Sequence, residues 1–167
     1  SIPVQLPYLH NQYVRGVSFE GGGTLRVNNF NNMYVARINA STGSFISSWP
    51  WTGGSPRYGL CINGDKRNYG TADRIYQSYL TGIWWVSTTN GSLISSYQAP
   101  VTNYATDLAW DYTHGLIWYA NYVTNWVFGM VPGGSIAESW ALPATVSYPY
   151  GIAYFGGYLY VSTSGGT

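Results

Sequence analysis

One short phrase repeated four times, a second phrase keeping step with it, and a strand-and-turn rhythm with no helical stretch predict an all-β fold for this chain of 167 residues. The fold class is a β-propeller, with about four blades of four antiparallel strands and a last blade that is incomplete and split between the termini. Residues 1–167 read as a single propeller domain or a segment of one.

The first phrase marks the innermost strand of each blade. It reads Gly16-Val-Ser-Phe19, Gly59-Leu-Cys-Ile62, Asp107-Leu-Ala-Trp110 and Gly151-Ile-Ala-Tyr154, with starts 43, 48 and 44 residues apart. The second marks the outermost strand: Gly43-Ser-Phe-Ile-Ser-Ser-Trp49, Gly91-Ser-Leu-Ile-Ser-Ser-Tyr97 and Gly134-Ser-Ile-Ala-Glu-Ser-Trp140. Two more apolar, aromatic-rich runs lie between them, such as Leu116-Ile-Trp-Tyr119 and Trp126-Val-Phe-Gly-Met-Val131. Turn residues bound the runs at Glu20-Gly-Gly-Gly23, Asn90-Gly91, Thr113-His-Gly115 and Gly156-Gly157, where tight hairpins want left-handed backbone angles. No segment holds the helical period of about 3.6 residues. A sandwich requires no such long repeat, and a β-helix repeats at a much shorter one.

The ends follow the same register. Each outer strand begins 14 or 15 residues before the next inner strand, and counting back 14 from Gly16 gives Ile2. Ile2, Val4 and Leu6 are therefore expected in an outer strand without a blade of its own. Tyr158, Tyr160 and Ser162 are expected on the second strand of the unfinished last blade. An unfinished sheet leaves N–H and C=O groups along its edge as a template for another strand. These six residues are the expected assembly strands, closing the chain's own ring or joining a neighbour head to tail.

The run from Asp107-Leu-Ala-Trp-Asp111 through Leu116-Ile-Trp-Tyr-Ala-Asn121, followed by Tyr150-Gly-Ile-Ala-Tyr154 through Val161, resembles the repeats of secreted bacterial propellers of the YVTN and NHL-like groups. The resemblance covers nearly the whole chain and implies the fold. Such propellers include enzymes, ligand binders and scaffolds, so it implies no single activity. The second unit departs from the pattern with a long polar stretch from Asn63 to Asp73.

Composition narrows the class further. Charged residues make up 8% of the chain and aromatic residues 18%, a pairing that fits a folded β protein and not a disordered one. A net charge of +1 gives no reason to expect a nucleic-acid partner. No apolar run reaches the roughly 18 residues of a membrane span. The charges are unevenly placed. All seven basic residues fall within the first 74 positions, beside Glu20, Asp65 and Asp73, and from residue 75 onward the only charges are Asp107, Asp111 and Glu138. The front is thus about +4 and the back −3. The one cysteine, Cys61, sits between Leu60 and Ile62 and reads as a packing thiol. Scarce lysine with abundant Tyr, Asn, Ser and Thr suits an extracellular or cell-surface setting. The leading Ser, with no signal peptide, fits a processed segment.

Chemistry-bearing constellations are scarce. His10, His114 and Cys61 are the whole set of soft metal ligands, too few for a zinc site, and both histidines read as exposed loop or turn residues. Asp65 and Asp73 share a loop with Lys66 and Arg67, which oppose calcium. Asp107 and Asp111 flank one inner strand, and turn chemistry accounts for Asp111. No nucleophile elbow or phosphate-binding loop occurs, so no catalytic residue, metal or cofactor is expected. Asn39-Ala-Ser41 and Asn90-Gly-Ser92 fit the glycosylation acceptor pattern. Most tryptophans occupy recurring strand positions between blades. Trp51, Tyr69, Tyr112 and Tyr122, in or beside loops, are the candidate ligand-facing aromatics.

The function expected on these grounds is a non-catalytic extracellular scaffold that binds itself or another extracellular protein. A carbohydrate-binding propeller that meets glycans through its loop aromatics is the alternative. A lyase or hydrolase working in the central channel, where Asp, His and Tyr converge without a motif, ranks third.

Overall fold

The computed structural model describes residues 14–29, 34–50, 60–62, 74–79, 82–87, 92–98 and 105–163, and every regular element among them is a β-strand. Blade 1 comprises β1 (Val14–Gly21), β2 (Thr24–Asn29), β3 (Tyr34–Asn39) and β4 (Phe45–Pro50). Blade 2 comprises β5 (Leu60–Ile62), β6 (Arg74–Tyr79), β7 (Gly82–Ser87) and β8 (Leu93–Gln98). Blade 3 comprises β9 (Ala105–Asp111), β10 (Leu116–Asn121), β11 (Trp126–Met130) and β12 (Ile136–Ala141). The last sheet holds β13 (Pro149–Phe155) and β14 (Tyr158–Thr163).

Each four-stranded sheet is an antiparallel meander in chain order, and β14 pairs only with β13 among the described residues. The propeller expected from the repeat is the fold found, with two strands of the last blade among the described residues. Ile2, Val4, Leu6, His10, Trp51, Tyr69, Asn90 and the stretch from Asn63 to Asp73 lie outside the described residues. Turn chemistry follows the sequence at the first hairpin. Gly22 and Gly23 sit at φ +58° and +72° in open space, backbone angles that a side chain would strain.

Inner strands gather around one axis, with β1 against β5, β5 against β9, and β9 against β13. Alternation along a strand then sends successive side chains to opposite neighbouring blades. From blade 3, Leu108, Ile117, Tyr119, Phe128 and Met130 pack with Ile83 of β7. On the opposite face, Ala109, Trp118 and Ala120 pack against Ile152, Tyr154, Leu159 and Val161 of the last sheet. With a blade on each face, β10 is buried at every position, which explains its unbroken apolar run. Exposed aromatic and aliphatic side chains mark the two ends of the arc. Val17 (54% exposed) and Phe19 (61%) face outward from blade 1, and Tyr158 (69%) and Tyr160 (54%) from the last sheet.

Blades 1 and 3 share a clamp that the aligned registers reveal. Ser18, Arg26 and Arg37 pair across β1, β2 and β3 as Ala109, Trp118 and Gly129 pair across β9, β10 and β11. In blade 1, Arg26 Nε and Nη2 donate to the two Glu20 oxygens at 2.8 and 2.9 Å, and the guanidinium lies 4.1 Å over the Trp49 ring. In blade 3, Trp118 Nε1 donates to Asp111 Oδ2 at 3.2 Å, and its indole stacks on Trp140 with centroids 4.7 Å apart. Each blade thus uses a flat N–H donor on its second strand, a carboxylate closing the first strand, and a tryptophan on the fourth.

Candidate functional site

At the β9 end of the repeat phrase, three blades carry glycine (Gly16, Gly59, Gly151) and blade 3 carries Asp107. Asp107 lines a cleft of about 470 Å³ together with residues of β1, β13 and β14. Its walls include Gly16 and Val17 from β1, Gly151 and Ala153 from β13, and Tyr160 and Ser162 from β14. The size falls in the range of small-molecule sites, roughly 300–1,000 Å³.

The backbone of β13 holds the carboxylate in place. Ile152 N donates to Asp107 Oδ2 at 3.2 Å, and next to it Thr106 Oγ1 donates to the Pro149 carbonyl at 3.2 Å. A side chain at Gly151 would have to displace the Ser162 hydroxyl. A Cβ there would sit 2.7 Å from Ser162 Oγ and 3.7 Å from Asp107 Oδ2, so a hydroxyl and a carboxylate lean over the same bare α-carbon.

Four residues along the strand, Asp111 closes β9 and organises a second polar cluster. Its buried carboxylate accepts from Thr113 N at 2.8 Å and from His114 N at 3.0 Å, while His114 Nδ1 lies 2.8 Å from Oδ2. The same turn device recurs at Asn39 and Asn121, whose side-chain oxygens each receive two backbone N–H groups. Only the Asp111 turn adds a histidine. Nearby, Tyr154 Oη donates to Thr113 Oγ1 at 2.9 Å.

Burial pushes the Asp111 carboxyl up. The hydrogen bonds from His114, Trp118 and Thr113 outweigh that effect and leave it below its ordinary value. His114 is raised, chiefly by its hydrogen bond to Asp111. The stability due to the His114 shift is complete below the ordinary imidazole value and is lost as pH climbs through the raised one. The Asp111 share is present above the ordinary carboxyl value and is lost as pH falls through the depressed one. The turn is therefore firmest between those limits. An NMR titration of the His114 ring should give a pKa above that of a free imidazole, and Asp111→Asn should bring it back. An ordinary value with Asp111 intact would contradict the pairing.

The other sequence candidates are scattered. Tyr112 is half-buried, packs edge-on against Tyr154 with centroids 5.2 Å apart, and accepts a hydrogen bond from Gly156 N. Tyr122 is half-buried between Tyr148 and Tyr150. Neither lines the Asp107 cleft. Tyr160 and Ser162, singled out as assembly residues, do line it, and Tyr158 stands exposed beyond. Sequence reasoning missed Asp107 as a site residue, although its departure from three glycines was a usable signal. Among the described residues, no three His, Cys, Asp or Glu side chains come together as a metal site.

No family model matches the chain, and no curated protein matches it in sequence. Solved structures do match in shape. A glutaminyl cyclase from Myxococcus xanthus aligns with a TM-score of 0.72 at 14% identity, over 92% of this chain and 69% of the cyclase. Virginiamycin B lyase from Staphylococcus aureus aligns at 0.64 and 15% identity, over 91% of this chain and 49% of the lyase. Hydrazine synthase from Kuenenia stuttgartiensis aligns at 0.60 and 12% identity, over 83% of this chain and 38% of the synthase. The expected non-catalytic scaffold is corrected by these findings, because the three similar structures just named are enzymes. A carboxylate–histidine contact is present at Asp111 and His114, and Asp107 is among the residues lining the cleft. What the comparisons establish for this chain is its fold, that of a β-propeller.

Proposed function

We propose that the chain forms the catalytic channel of a propeller enzyme, with Asp107 as the carboxylate that touches the substrate. One observation carries this reading. Asp107 stands where every other blade has glycine, and it is among the residues that line the cleft of blades 1, 3 and 4. Ser162 Oγ and Asp107 Oδ2 both lie close to Gly151, so a hydroxyl and a carboxylate share this part of the cleft. The chemistry that fits is proton transfer or charge stabilisation at a carbonyl, as in cyclisation, elimination or hydrolysis.

The names of the similar enzymes supply the first substrates to try, a peptide with N-terminal glutamine and virginiamycin B. Product formation is followed by mass spectrometry. Turnover of at least one is expected, falling by on the order of 100-fold or more in Asp107→Asn. If neither substrate is consumed, or if Asp107→Asn keeps the full rate, this reading is wrong.

A further inference from the structure

Among the described residues, two other than glycine hold a positive φ: Asn125 at 57° and Tyr148 at 54°. Asparagine tolerates that conformation, while a bulky side chain adopts it at a cost. Tyr148 also precedes Pro149, and a residue in that place ordinarily stays extended. The two residues are bonded to each other. Asn125 Oδ1 accepts from Tyr148 N at 3.2 Å, and Asn125 Nδ2 donates to the Val146 carbonyl at 3.0 Å. The Asn125 carbonyl accepts from Leu142 N at 2.9 Å. One turn residue of blade 3 therefore ties down both ends of the connection from β12 to β13. Tyr122, in the same turn, packs against the rings of Tyr148 and Tyr150. The device is particular to this blade. In blade 1 four residues likewise separate the paired Asn29 and Tyr34, and the fourth of them is Met33 where blade 3 has Asn125.

We infer that Asn125 is a positioning residue for the cleft, acting through the first residues of β13. That strand enters with a register shift between Pro149 and Gly151, so the seats of Gly151 and Ile152 depend on the direction from which the chain arrives. Asn125 sets this direction by holding Tyr148 in the left-handed conformation. Released from that bond, Tyr148 relaxes to extended backbone, and Pro149, with its fixed φ, carries the change into the strand. Gly151, Ile152 and Ala153 line the cleft, and Ile152 N donates to Asp107 Oδ2. The side chain that places this wall stands outside the lining itself. Its effect on turnover rests on the channel-enzyme reading; the placement of the wall does not.

The test is amide hydrogen exchange of the intact chain, read by NMR at Ile152 and at two blade 3 amides, Tyr119 and Val127. In Asn125→Gly the turn keeps its backbone angle without strain but loses both side-chain bonds. Ile152 is expected to exchange about tenfold faster, with Tyr119 and Val127 within about twofold of the parent chain. Asn125→Asp keeps the acceptor for Tyr148 N and loses the donor to Val146, so a smaller acceleration of about threefold is expected, again confined to Ile152. That variant decides the matter if Asn125→Gly does not fold. Thr113→Ala removes the bond from Tyr154 Oη at the far end of β13 and should leave Ile152 unchanged. Unchanged exchange at Ile152 in the Asn125 variants, equal acceleration at Tyr119 and Val127, or the same acceleration in Thr113→Ala overturns the inference. Where the chain turns over a substrate, Asn125→Gly should lower kcat by about tenfold with KM little changed. The two readings fail separately. Absence of turnover removes the enzyme and leaves the Ile152 result standing. Turnover lost in Asp107→Asn, with Ile152 unmoved by Asn125→Gly, removes only the positioning role.

Discussion

Glu20→Ala is expected to destabilise the chain by about 3–5 kcal/mol, measured as a lower midpoint in urea. The cause is the charge it strands. Arg26 is buried to 3% exposure in the middle of blade 1, and Glu20, at 7%, meets it with two hydrogen bonds of 2.8 and 2.9 Å. Burial already lowers the Arg26 pKa, against the pull of Glu20. Arg37, which shares Glu20 Oε2 at 2.9 Å, repels Arg26 and would remain beside it. Arg37 is 37% exposed, so Arg37→Gln should cost no more than about 1 kcal/mol. Replacing Glu20 and Arg26 together by Leu and Met should cost much less than Glu20→Ala, because no buried charge is left behind. A loss under about 1 kcal/mol for Glu20→Ala would show that the pair is solvated.

The strand plan was legible because two local signals agreed at every step: alternation within a strand and recurrence between blades. Leu116 to Asn121 looks uniformly apolar in sequence because a blade covers each of its faces. The Asp111–His114 contact was readable in principle, three residues apart across a tight turn, but a turn explanation for Asp111 hid it. That explanation was correct as far as it went, since the same carboxylate performs both jobs. The cleft was not legible. Its walls come from β1, β9, β13 and β14, and their approach depends on how far the blades rotate about the axis, which no local pattern encodes. Asp107 takes the first position of the repeat phrase, where the other three units have glycine. The assembly reading of Tyr160 and Ser162 came from the unfinished sheet, and the structure adds that the same strand forms a wall of the cleft.

Trp118→Ala is expected to cost about 3–5 kcal/mol, and Gly129→Ala about 1–3 kcal/mol, for opposite reasons that share one ring. Trp118 is 2% exposed and packs between blades 3 and 4, stacked on Trp140 and hydrogen-bonded to Asp111. Truncation leaves a large cavity between blades and takes an N–H donor from a buried carboxylate. Gly129, the register partner of Trp118 on β11, supports the ring from below. A Cβ there would meet three ring atoms at 2.8 to 2.9 Å, so alanine forces the indole off its stack or bends the strand. Blade 1 shows why this glycine is not a requirement of the fold. The narrower Arg26 takes the place of the indole there, and Arg37 fits where Gly129 stands. The two substitutions should therefore couple. Gly129→Ala made in the Trp118→Ala background should cost at least about 1 kcal/mol less than it does in the parent chain, because the ring it collides with is gone. Additive losses in a double-mutant cycle of urea midpoints would mean that Gly129 answers to a backbone demand and not to the indole.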